Sequence, residues 1–372
     1  MPLSRRDLLT ASALMLAGPS AALRAAGAET SAGKQPAAGA APSVLCWTEN
    51  PSGPSPAARH AVSRSLGEGC RYPSDTEVEA LTDALAAHEG LSPDCIVLGT
   101  GSGELLRALG LLCARDGGEI IAAEPTYAEL PEYARLRGAT LKMVPVDEKL
   151  RHDLPAMRAA LSERTRAMYI CNPNNPTGTA LSAAELREFV SALPEQVIAI
   201  VDEAYLDFTV GTDLGSVADL VRKDRRVVVL RTFSKIHGMA GLRFGYAITR
   251  PDIAEALAAA RMSTPNIYTV RAARASLADE TFRADCRRRI IASRTRITTE
   301  LARSGLKYAE PQGNFVFFDT GMPLERFTAH MRARNILVGR PFPPYASWCR
   351  ISIGTEPEVG AFLDALRAVT RS

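Results

Sequence analysis

The chain has 372 residues, of which 46% are hydrophobic and 23% are charged, a composition typical of a globular protein that argues against collagen, a coiled coil or a polytopic membrane protein. Lysine and arginine number 44 against 41 aspartates and glutamates, so the formal charge of +3 gives no electrostatic indication of nucleic-acid binding. The length exceeds what one hydrophobic core usually spans, which predicts two domains that share a cleft suited to a small ligand.

The first residues have the layout of an export signal. Ser4-Arg5-Arg6-Asp7-Leu8-Leu9 precedes a short apolar run, and an Ala/Gly-rich stretch ends near Ala28. The adjacent arginines resemble a twin-arginine signal, although Leu8 stands where phenylalanine is more usual. A chance pair of arginines is the alternative, and the run is shorter than the ~20 residues of a membrane span. The sequence therefore predicts a signal peptide over 1–28, a flexible linker over 29–44 and a periplasmic or exported protein, cytoplasmic if the signal does not function.

The cysteine pattern predicts neither a disulfide framework nor a structural metal. The cysteines are odd in number and have no CxxC or Cys/His spacing typical of zinc. Free thiols in an exported protein fit a chain that folds in the cytoplasm before export. The seven cysteines are Cys46, Cys70, Cys95, Cys113, Cys171, Cys286 and Cys349.

An α/β pattern follows. Short runs of branched aliphatic residues alternate with helix-length amphipathic stretches, which predicts a mostly parallel sheet covered on both faces. The predicted strands are Cys95 to Leu98, Glu119 to Ala122, Leu141 to Val146, Ala167 to Cys171, Val197 to Val201, Val227 to Leu230 and Phe244 to Ile248, with a helix from Glu104 to Ala114. Ligands of such sheets bind at the carboxyl ends of the strands.

The domain prediction places an N-terminal arm at 45–74, a large domain at 75–265 and a smaller α+β domain at 266–372. Within the smaller domain, short strands are predicted around Phe315 to Phe318 and Arg350 to Ile353.

A glycine-rich turn follows the first predicted strand. Gly99-Thr100-Gly101-Ser102-Gly103-Glu104 opens directly into a helix, so backbone N–H groups and the helix dipole can face an anion. The turn lacks the lysine of a P-loop and the full spacing of a dinucleotide site. It predicts a phosphate monoester as ligand, with a purely structural turn as the alternative.

Polar groups follow two further strands. Asn172-Pro173-Asn174-Asn175-Pro176-Thr177-Gly178 forms a rigid turn that presents amide side chains, although turn chemistry alone could explain it. Val201-Asp202-Glu203-Ala204-Tyr205 places a carboxylate at a strand end, where a helix cap is the alternative.

A lysine follows the next strand. In the segment from Arg231 to Arg243, Lys235 is poorly placed for a solvated surface charge and well placed for an amine nucleophile whose pKa burial would lower. Arg243, eight residues later, offers a planar fork for a phosphate.

In this order, the NNPTG, VDEAY and FSKIHGMAGLRFGY segments resemble the fold type I pyridoxal-phosphate aminotransferases of classes I and II, in the histidinol-phosphate aminotransferase-like branch. The match runs from about Trp47 to the C-terminus. The resemblance implies pyridoxal 5′-phosphate as cofactor, an amino donor and a 2-oxo acid acceptor as substrates, and a homodimer with shared active sites.

The resemblance also implies roles for individual residues. Lys235 would carry the cofactor as a Schiff base and shuttle a proton between Cα and C4′, while Asp202 would pair with the pyridine nitrogen. Asn175 and Tyr205 would donate hydrogen bonds to the ring oxygen, and Tyr127 would stack on the ring. The implied phosphate ligands are the Gly101, Ser102 and Gly103 amides, Ser234, Arg243 and Tyr72 of the partner subunit.

Two arginines near the C-terminus are candidate substrate ligands. By the resemblance, Arg350 would grip the substrate α-carboxylate in a bidentate pair. Arg340 either lines the same pocket or is a loop charge exposed to solvent. One departure from the branch bears on the substrate, because Ser52 stands where histidinol-phosphate aminotransferases commonly carry a tyrosine that reaches the substrate. This loss, together with the predicted export, weakens the case for histidinol phosphate.

Three functions remain open at this point. The first is an exported aminotransferase that acts on an amino acid or amine with a 2-oxo acid acceptor. The second is a pyridoxal-phosphate decarboxylase or lyase on the same fold, because fold does not fix the reaction. The third is a non-catalytic binding protein, against which the joint presence of Lys235, Asp202, Asn175, Tyr205 and Arg243 argues.

Overall fold

The computed structural model describes residues 41–223 and 226–370. The predicted signal peptide and all but the end of the predicted linker lie outside these residues. From Ala41 onward the chain forms one compact unit.

Helices and strands alternate along most of the chain. The α-helices are α1 (Pro56–Ser65), α2 (Asp75–Glu89), α3 (Ser102–Cys113), α4 (Glu129–Leu136), α5 (Leu154–Ala159), α6 (Ala183–Ser191), α7 (Pro251–Ala260), α8 (Ile267–Ala278), α9 (Glu280–Arg303), α10 (Leu324–Arg332) and α11 (Glu356–Thr370). The strands are β1 (Ser43–Val44), β2 (Ile96–Gly99), β3 (Glu119–Glu124), β4 (Thr140–Pro145), β5 (Thr165–Cys171), β6 (Ile198–Asp202), β7 (Val227–Thr232), β8 (Gly245–Ile248), β9 (Phe315–Asp319), β10 (Ile336–Leu337) and β11 (Trp348–Ser352).

The seven strands predicted between residues 95 and 248 form a single sheet in the order β2-β8-β7-β6-β5-β3-β4. Strand β8 runs antiparallel to both of its neighbours, and the other pairings are parallel. The predicted mostly parallel sheet is therefore confirmed, with strand boundaries displaced by at most two residues.

Both faces of this sheet are covered. In β7, Val227 and Val229 pack into one hydrophobic cluster, whereas Val228 and Leu230 pack into the cluster on the opposite face. Successive side chains of a strand point to opposite faces, so a strand buried on both sides must be apolar at every position. Helix α3 packs on the second face, where Leu105, Leu106 and Leu109 are fully buried.

A second region of the core surrounds the antiparallel pair β9 and β11. The pairing joins Phe315 to Ser352 and Asp319 to Trp348, and helices α9, α10 and α11 cover it. Leu45, from the N-terminal segment, is buried in the same cluster. The N-terminal segment is thereby held against the C-terminal part of the chain.

Two details differ from the sequence predictions. Ser43 and Val44, placed in the flexible linker, form a strand that pairs in parallel with β10. Helix α8, placed in the small domain, packs on α1 and α2, and its Val270, Ala272 and Ala273 join the core of the large sheet. An amphipathic pattern shows that a helix has a buried face but not which core that face joins.

All seven cysteines are free, and five of them are buried. No helix among the described residues combines the length and the apolar character that crossing a membrane requires.

Candidate active site

A cavity of ≈ 370 Å³ lies where the parallel strands end. Residues that follow β2, β3, β5, β6 and β7 meet there, because the carboxyl ends of parallel strands share one edge of the sheet. The predicted site residues that line the cavity are Ser102, Gly103, Tyr127, Asn175, Asp202, Tyr205, Ser234, Lys235, Arg243, Arg340 and Arg350.

The other two predicted site residues lie outside the cavity lining. The Arg243 guanidinium packs against Gly101, since a Cβ built on this glycine would lie 2.5 Å from it. Tyr72 is 91% exposed and does not reach the cavity of its own chain.

Lys235 is an amine nucleophile whose pKa lies near neutral pH. Its Nζ donates to the Thr48 carbonyl oxygen at 2.9 Å and to the Thr48 Oγ1 at 2.6 Å. Burial of the ammonium, assisted by the positive charge of Arg350, lowers the pKa of Lys235 from 10.5 to about 7, while Asp202 and Glu49 oppose the shift. An amine with this pKa is uncharged in a large fraction of molecules at pH 7 and keeps its lone pair free.

Asp202 ends β6 and faces the cavity with a buried carboxylate. Its Oδ1 accepts from the Ala204 amide at 3.1 Å, and its Oδ2 accepts from the Tyr169 hydroxyl at 3.4 Å. Burial raises the pKa of Asp202 to about 6, and these two donors together with Lys235 limit the rise. Its position on the cavity wall favours a functional carboxylate over the helix cap that the sequence left open.

An anion cradle lies at the N-terminus of helix α3. The helix begins after Gly101, whose φ of 89° suits glycine and whose position offers no side chain to cap the first amides. The Arg243 guanidinium lies beside it and donates to Ser234 Oγ at 3.4 Å. A Cβ on Gly245 would lie 2.4 Å from the Ser102 amide nitrogen, so this close approach requires glycine. Backbone amides, a hydroxyl and a guanidinium converge as a phosphate requires.

The three asparagines of the turn after β5 have separate tasks. The Asn172 side chain donates to the Leu181 carbonyl and accepts from the Leu181 amide, and the Asn174 side chain donates to the Pro125 carbonyl. Both side chains therefore stabilise the turn itself. Only Asn175 faces the cavity, where its Nδ2 donates to the Tyr205 hydroxyl at 3.2 Å.

Arg350 is a buried cation without a carboxylate partner among the described residues. Its Nη1 donates to Asn175 Oδ1 at 2.6 Å and its Nη2 donates to the Cys46 carbonyl at 2.7 Å. Its buried Nε has no hydrogen-bond partner in this part of the chain. Burial lowers the pKa of Arg350, which nevertheless stays a cation. An unpaired buried guanidinium is a strong anion-binding group.

Arg340 lines the cavity and also lies on the outer surface beside Tyr127, so both alternatives raised from the sequence describe part of its position. Its guanidinium lies 4.4 Å from the ring centroid of Phe342. The cavity thus holds three cationic side chains, Arg243, Arg340 and Arg350, and the amine of Lys235, which titrates near pH 7, against the carboxylates of Asp202 and Glu49.

Sequence reasoning missed several residues that line the cavity. They are Trp47, Thr48, Glu49, Thr126, Thr232, Ala204, Ala240 and Phe342. Trp47 to Glu49 directly precede the Asn50-Pro51 segment, and only folding of the chain brings them to the cavity, where Thr48 contacts Lys235.

The shifted pKa of Lys235 gives a test on the cofactor-free protein. Below pH 7 the folded chain must hold a charged ammonium at a site that disfavours charge, whereas above about pH 10.5 the amine is neutral in both folded and unfolded states. We therefore expect a Lys235→Met variant to be more stable than the wild type at pH 6, with the gain shrinking as pH rises from about 7 to 10.5. Urea unfolding across this pH range measures the difference in the free energy of unfolding. A stability gain that does not change with pH, or that equals the gain of the exposed Lys307→Met variant, would contradict the lowered pKa of Lys235.

These residues fit pyridoxal 5′-phosphate and define the class of enzyme that uses it. The nucleophilic amine, the buried carboxylate, the tyrosine and asparagine donors and the phosphate cradle are the groups that such a cofactor needs. The fold, a mostly parallel sheet with a smaller α+β region, is that of fold type I.

Comparisons with known proteins agree. The family model for aminotransferases of class I and II matches residues 44–366, and the chain belongs to that family. An aromatic amino acid aminotransferase from Cutibacterium acnes is 37% identical over 329 residues, which are 87% of this chain and 91% of that protein. A histidinol-phosphate aminotransferase from Moorella thermoacetica is 35% identical over 329 residues, which are 87% of this chain and 84% of that protein.

A solved structure gives the same result. The crystal structure of histidinol-phosphate aminotransferase from Sinorhizobium meliloti in complex with pyridoxal-5′-phosphate matches with a TM-score of 0.82 and 29% identity, over 89% of this chain and 91% of that one. The chain is thus an aminotransferase that uses pyridoxal phosphate, with amino and keto acid substrates. This supports aminotransferase activity over the lyase and the non-catalytic protein that the sequence left open.

Proposed function

We propose that this aminotransferase takes the amino group from an α-amino acid with an aromatic side chain and delivers it to a 2-oxo acid such as 2-oxoglutarate. The main support for an α-amino acid as donor is Arg350, a buried guanidinium with an unpartnered Nε at the cavity wall. A substrate carboxylate satisfies both the charge and the free donor.

The chain's own groups perform the proton chemistry. Pyridoxal phosphate, when bound, supplies a ring that accepts electrons from the substrate Cα. Lys235 Nζ removes the Cα proton as a general base and returns it as a general acid, a role suited to a pKa of about 7. With the cofactor bound, the Asp202 carboxylate would hold a proton on the ring nitrogen, and the pair of charges would compensate the cost of burying the carboxylate.

Aromatic groups at the cavity support an aromatic donor. Besides Tyr127, which would stack on the cofactor ring, Trp47 and Phe342 line the same cavity, and Trp47 is 67% exposed at its edge. A planar substrate side chain can stack among such rings. The relative from Cutibacterium acnes bears the name aromatic amino acid aminotransferase, which agrees with this lining.

Histidinol phosphate is the second candidate, favoured by Arg340 as a further cation in the cavity and by the name of the Moorella relative. Ser52 offers nothing in place of the tyrosine expected by resemblance: its Oγ accepts from Arg289 at 3.3 Å, and it does not line the cavity.

A panel of donors tests the two candidates. We expect kcat/KM with 2-oxoglutarate to be highest for phenylalanine, tyrosine or tryptophan, and at least about tenfold lower for aspartate and for histidinol phosphate, a difference of about 1.4 kcal/mol. A preference for histidinol phosphate would replace the first candidate with the second. A preference for aspartate would contradict both.

Replacement of Arg350 by lysine tests the carboxylate site. Lysine keeps the charge but loses the bidentate fork, so we expect KM for carboxylate substrates to rise by about 10- to 100-fold with a smaller change in kcat, a loss of about 1.5–3 kcal/mol. Arg340→Lys is the matched control, which we expect to affect KM for the α-carboxylate less. An unchanged KM in Arg350→Lys would contradict the assignment.

We also propose that the enzyme is a homodimer in which Tyr72 of the partner subunit completes the phosphate site. The exposure of Tyr72, together with exposed Leu66 and Met262, supports a surface that a second copy covers. Mixed dimers of inactive Lys235→Ala and weakened Tyr72→Ala chains provide the test, because each hybrid contains one intact site. Recovery of activity on subunit exchange is expected; a monomer by ultracentrifugation, or no recovery, would contradict shared sites.

Export by the twin-arginine route is a further proposal, supported by the Ser4 to Leu9 segment and by seven free cysteines. Such a route carries folded protein, which suits a chain that must bind its cofactor first. Fractionation of cells that express the wild type or an Arg5→Lys, Arg6→Lys double variant tests it. Equal distribution of both forms between compartments would contradict export by this route.

A further inference from the structure

Thr48 makes closer contact with the amine of Lys235 than any residue that the motifs identify. Its carbonyl oxygen and its hydroxyl both accept from Nζ, across a separation of 187 residues in the chain. Thr48 is 2% exposed. Both contacts are made by a single residue that no sequence motif of the site includes.

The backbone of Thr48 is held in an unfavourable conformation. Its φ of 55° lies in the left-handed region, which a β-branched residue rarely adopts. Two contacts impose this geometry: the Thr48 amide donates to Ser352 Oγ at 2.7 Å, and Asn314 Nδ2 donates to the Thr48 carbonyl at 3.0 Å. Strain of this kind persists where neighbouring groups over-determine it, and it clusters at functional sites.

The two contacts with Lys235 have a consequence for the direction of its lone pair. A neutral amine has two N–H bonds and one lone pair. When both N–H bonds point at the two oxygens of Thr48, the lone pair takes the one remaining tetrahedral direction of the nitrogen. It therefore points away from Thr48. A general base needs its lone pair directed at the proton that it removes.

The hydroxyl of Thr48 also lies within hydrogen-bond distance of the Tyr205 hydroxyl, a contact in which either oxygen can donate. Since Thr48 Oγ1 accepts from Lys235, its own proton is free for the Tyr205 hydroxyl, 3.3 Å away. Tyr205 also accepts from Asn175, whose Oδ1 is held by Arg350. When Thr48 is the donor in this contact, Tyr205 keeps its own proton for a group in the cavity. One chain of hydrogen bonds thus joins the amine to the arginine that binds the substrate.

We propose that Thr48 is a positioning residue for the proton transfer, which orients the lone pair of the free Lys235 amine and the donor proton of Tyr205. The proposal rests on transamination itself and not on the identity of the donor. No bond to Thr48 forms or breaks, and the transferred proton moves between the substrate and Lys235 Nζ.

Thr48→Val removes the hydroxyl but keeps the branched shape, and thus the backbone strain, of the wild type. In the holoenzyme we expect kcat to fall by about 10- to 100-fold with little change in KM, part of the 10²- to 10⁴-fold that general acid–base catalysis supplies. The kinetic isotope effect with an α-deuterated donor should rise, because proton transfer becomes more rate-limiting. Thr48→Ser, which restores the hydroxyl, should lie within about threefold of wild type.

The pH dependence of turnover should change in Thr48→Val if Thr48 positions the amine. It should not change if Thr48 has a purely structural role. The charged or titratable groups that act on Lys235 are Arg350, Asp202, Glu49 and Arg243, and Thr48→Val leaves all of them in place. Loss of an oxygen that accepts from the ammonium favours the neutral amine, so we expect the acidic limb of the kcat–pH profile, which reports ionisation of the free Lys235 amine in the substrate complex, to shift to lower pH.

The controls separate positioning from folding. Thr249→Val makes the same replacement at a buried threonine whose hydroxyl donates to the carbonyl of Val227, the first residue of β7. This position lies at the end of the strands opposite the cavity, so the variant should retain wild-type kcat. If Thr48→Val loses the cofactor, Thr48→Ala provides the same isotope-effect measurement without a branched side chain. Wild-type kcat and isotope effect in Thr48→Val, or equal losses in the serine and valine variants, would overturn the proposal. Loss of transamination by the wild type itself would instead contradict the family activity.

Discussion

Replacement of Lys235 by alanine will abolish turnover while the chain still folds. The amine is the only nucleophile at the cavity with a pKa near 7, and it both attaches the cofactor and carries the proton. We expect kcat/KM to fall by about 10⁴-fold or more, at or beyond the upper end of general acid–base effects. Steady-state assays with a saturating acceptor and added cofactor measure this loss.

The matched control for Lys235→Ala is Lys307→Ala, at an exposed lysine outside the cavity lining, which should keep wild-type activity. Circular dichroism should show the same fold in both variants, because removal of a buried ammonium relieves a cost of burial. Comparable activity of Lys235→Ala and the wild type would disprove the mechanism and favour a non-catalytic binding protein.

Asp202→Asn should produce the second-largest effect. The amide keeps the shape and the contact with the Ala204 amide, but it loses the charge that holds a proton on the ring nitrogen. We expect kcat/KM to fall by about 10²- to 10³-fold, as for loss of one preorganised electrostatic contact in an active site. The same assays measure the loss, and the amount of bound cofactor, measured by absorbance, should change far less.

Stability separates this effect from damage to the fold. Burial raises the pKa of Asp202 to about 6, so a neutral amide at this position should not destabilise the cofactor-free protein at pH 7. Asp83→Asn, on the exposed side of helix α2, provides the control for the chemical change alone. Asp202→Asn with full activity would show that the carboxylate does not act on the ring.

The sheet and its active edge could be predicted because the strands other than the edge strand β4 are largely buried on both faces. A strand such as Val227–Thr232 must be apolar at consecutive positions, which distinguishes it from an amphipathic helix. Once the strands are known, parallel pairing brings Asp202, Asn175 and Lys235 to one edge without further information.

The remaining features depend on contacts distant in sequence. Strands β1 and β10 have two residues each, too few for any period to be recognised. Thr48 reaches Lys235 only after the N-terminal segment packs against β11 through Leu45 and Ser352. Tyr72 has no contact with the cavity of its own chain, so its predicted role requires a second copy.

A single-turnover experiment tests the central claim most directly. The holoenzyme is mixed with an aromatic α-amino acid in the absence of any 2-oxo acid, and the products and the absorption of the bound cofactor are followed together. We predict one equivalent of the corresponding 2-oxo acid for each active site, with loss of the absorption band of the lysine-bound cofactor, which returns when 2-oxoglutarate is added. Release of carbon dioxide or free ammonia, or a spectrum that no donor changes, would contradict transamination by this site.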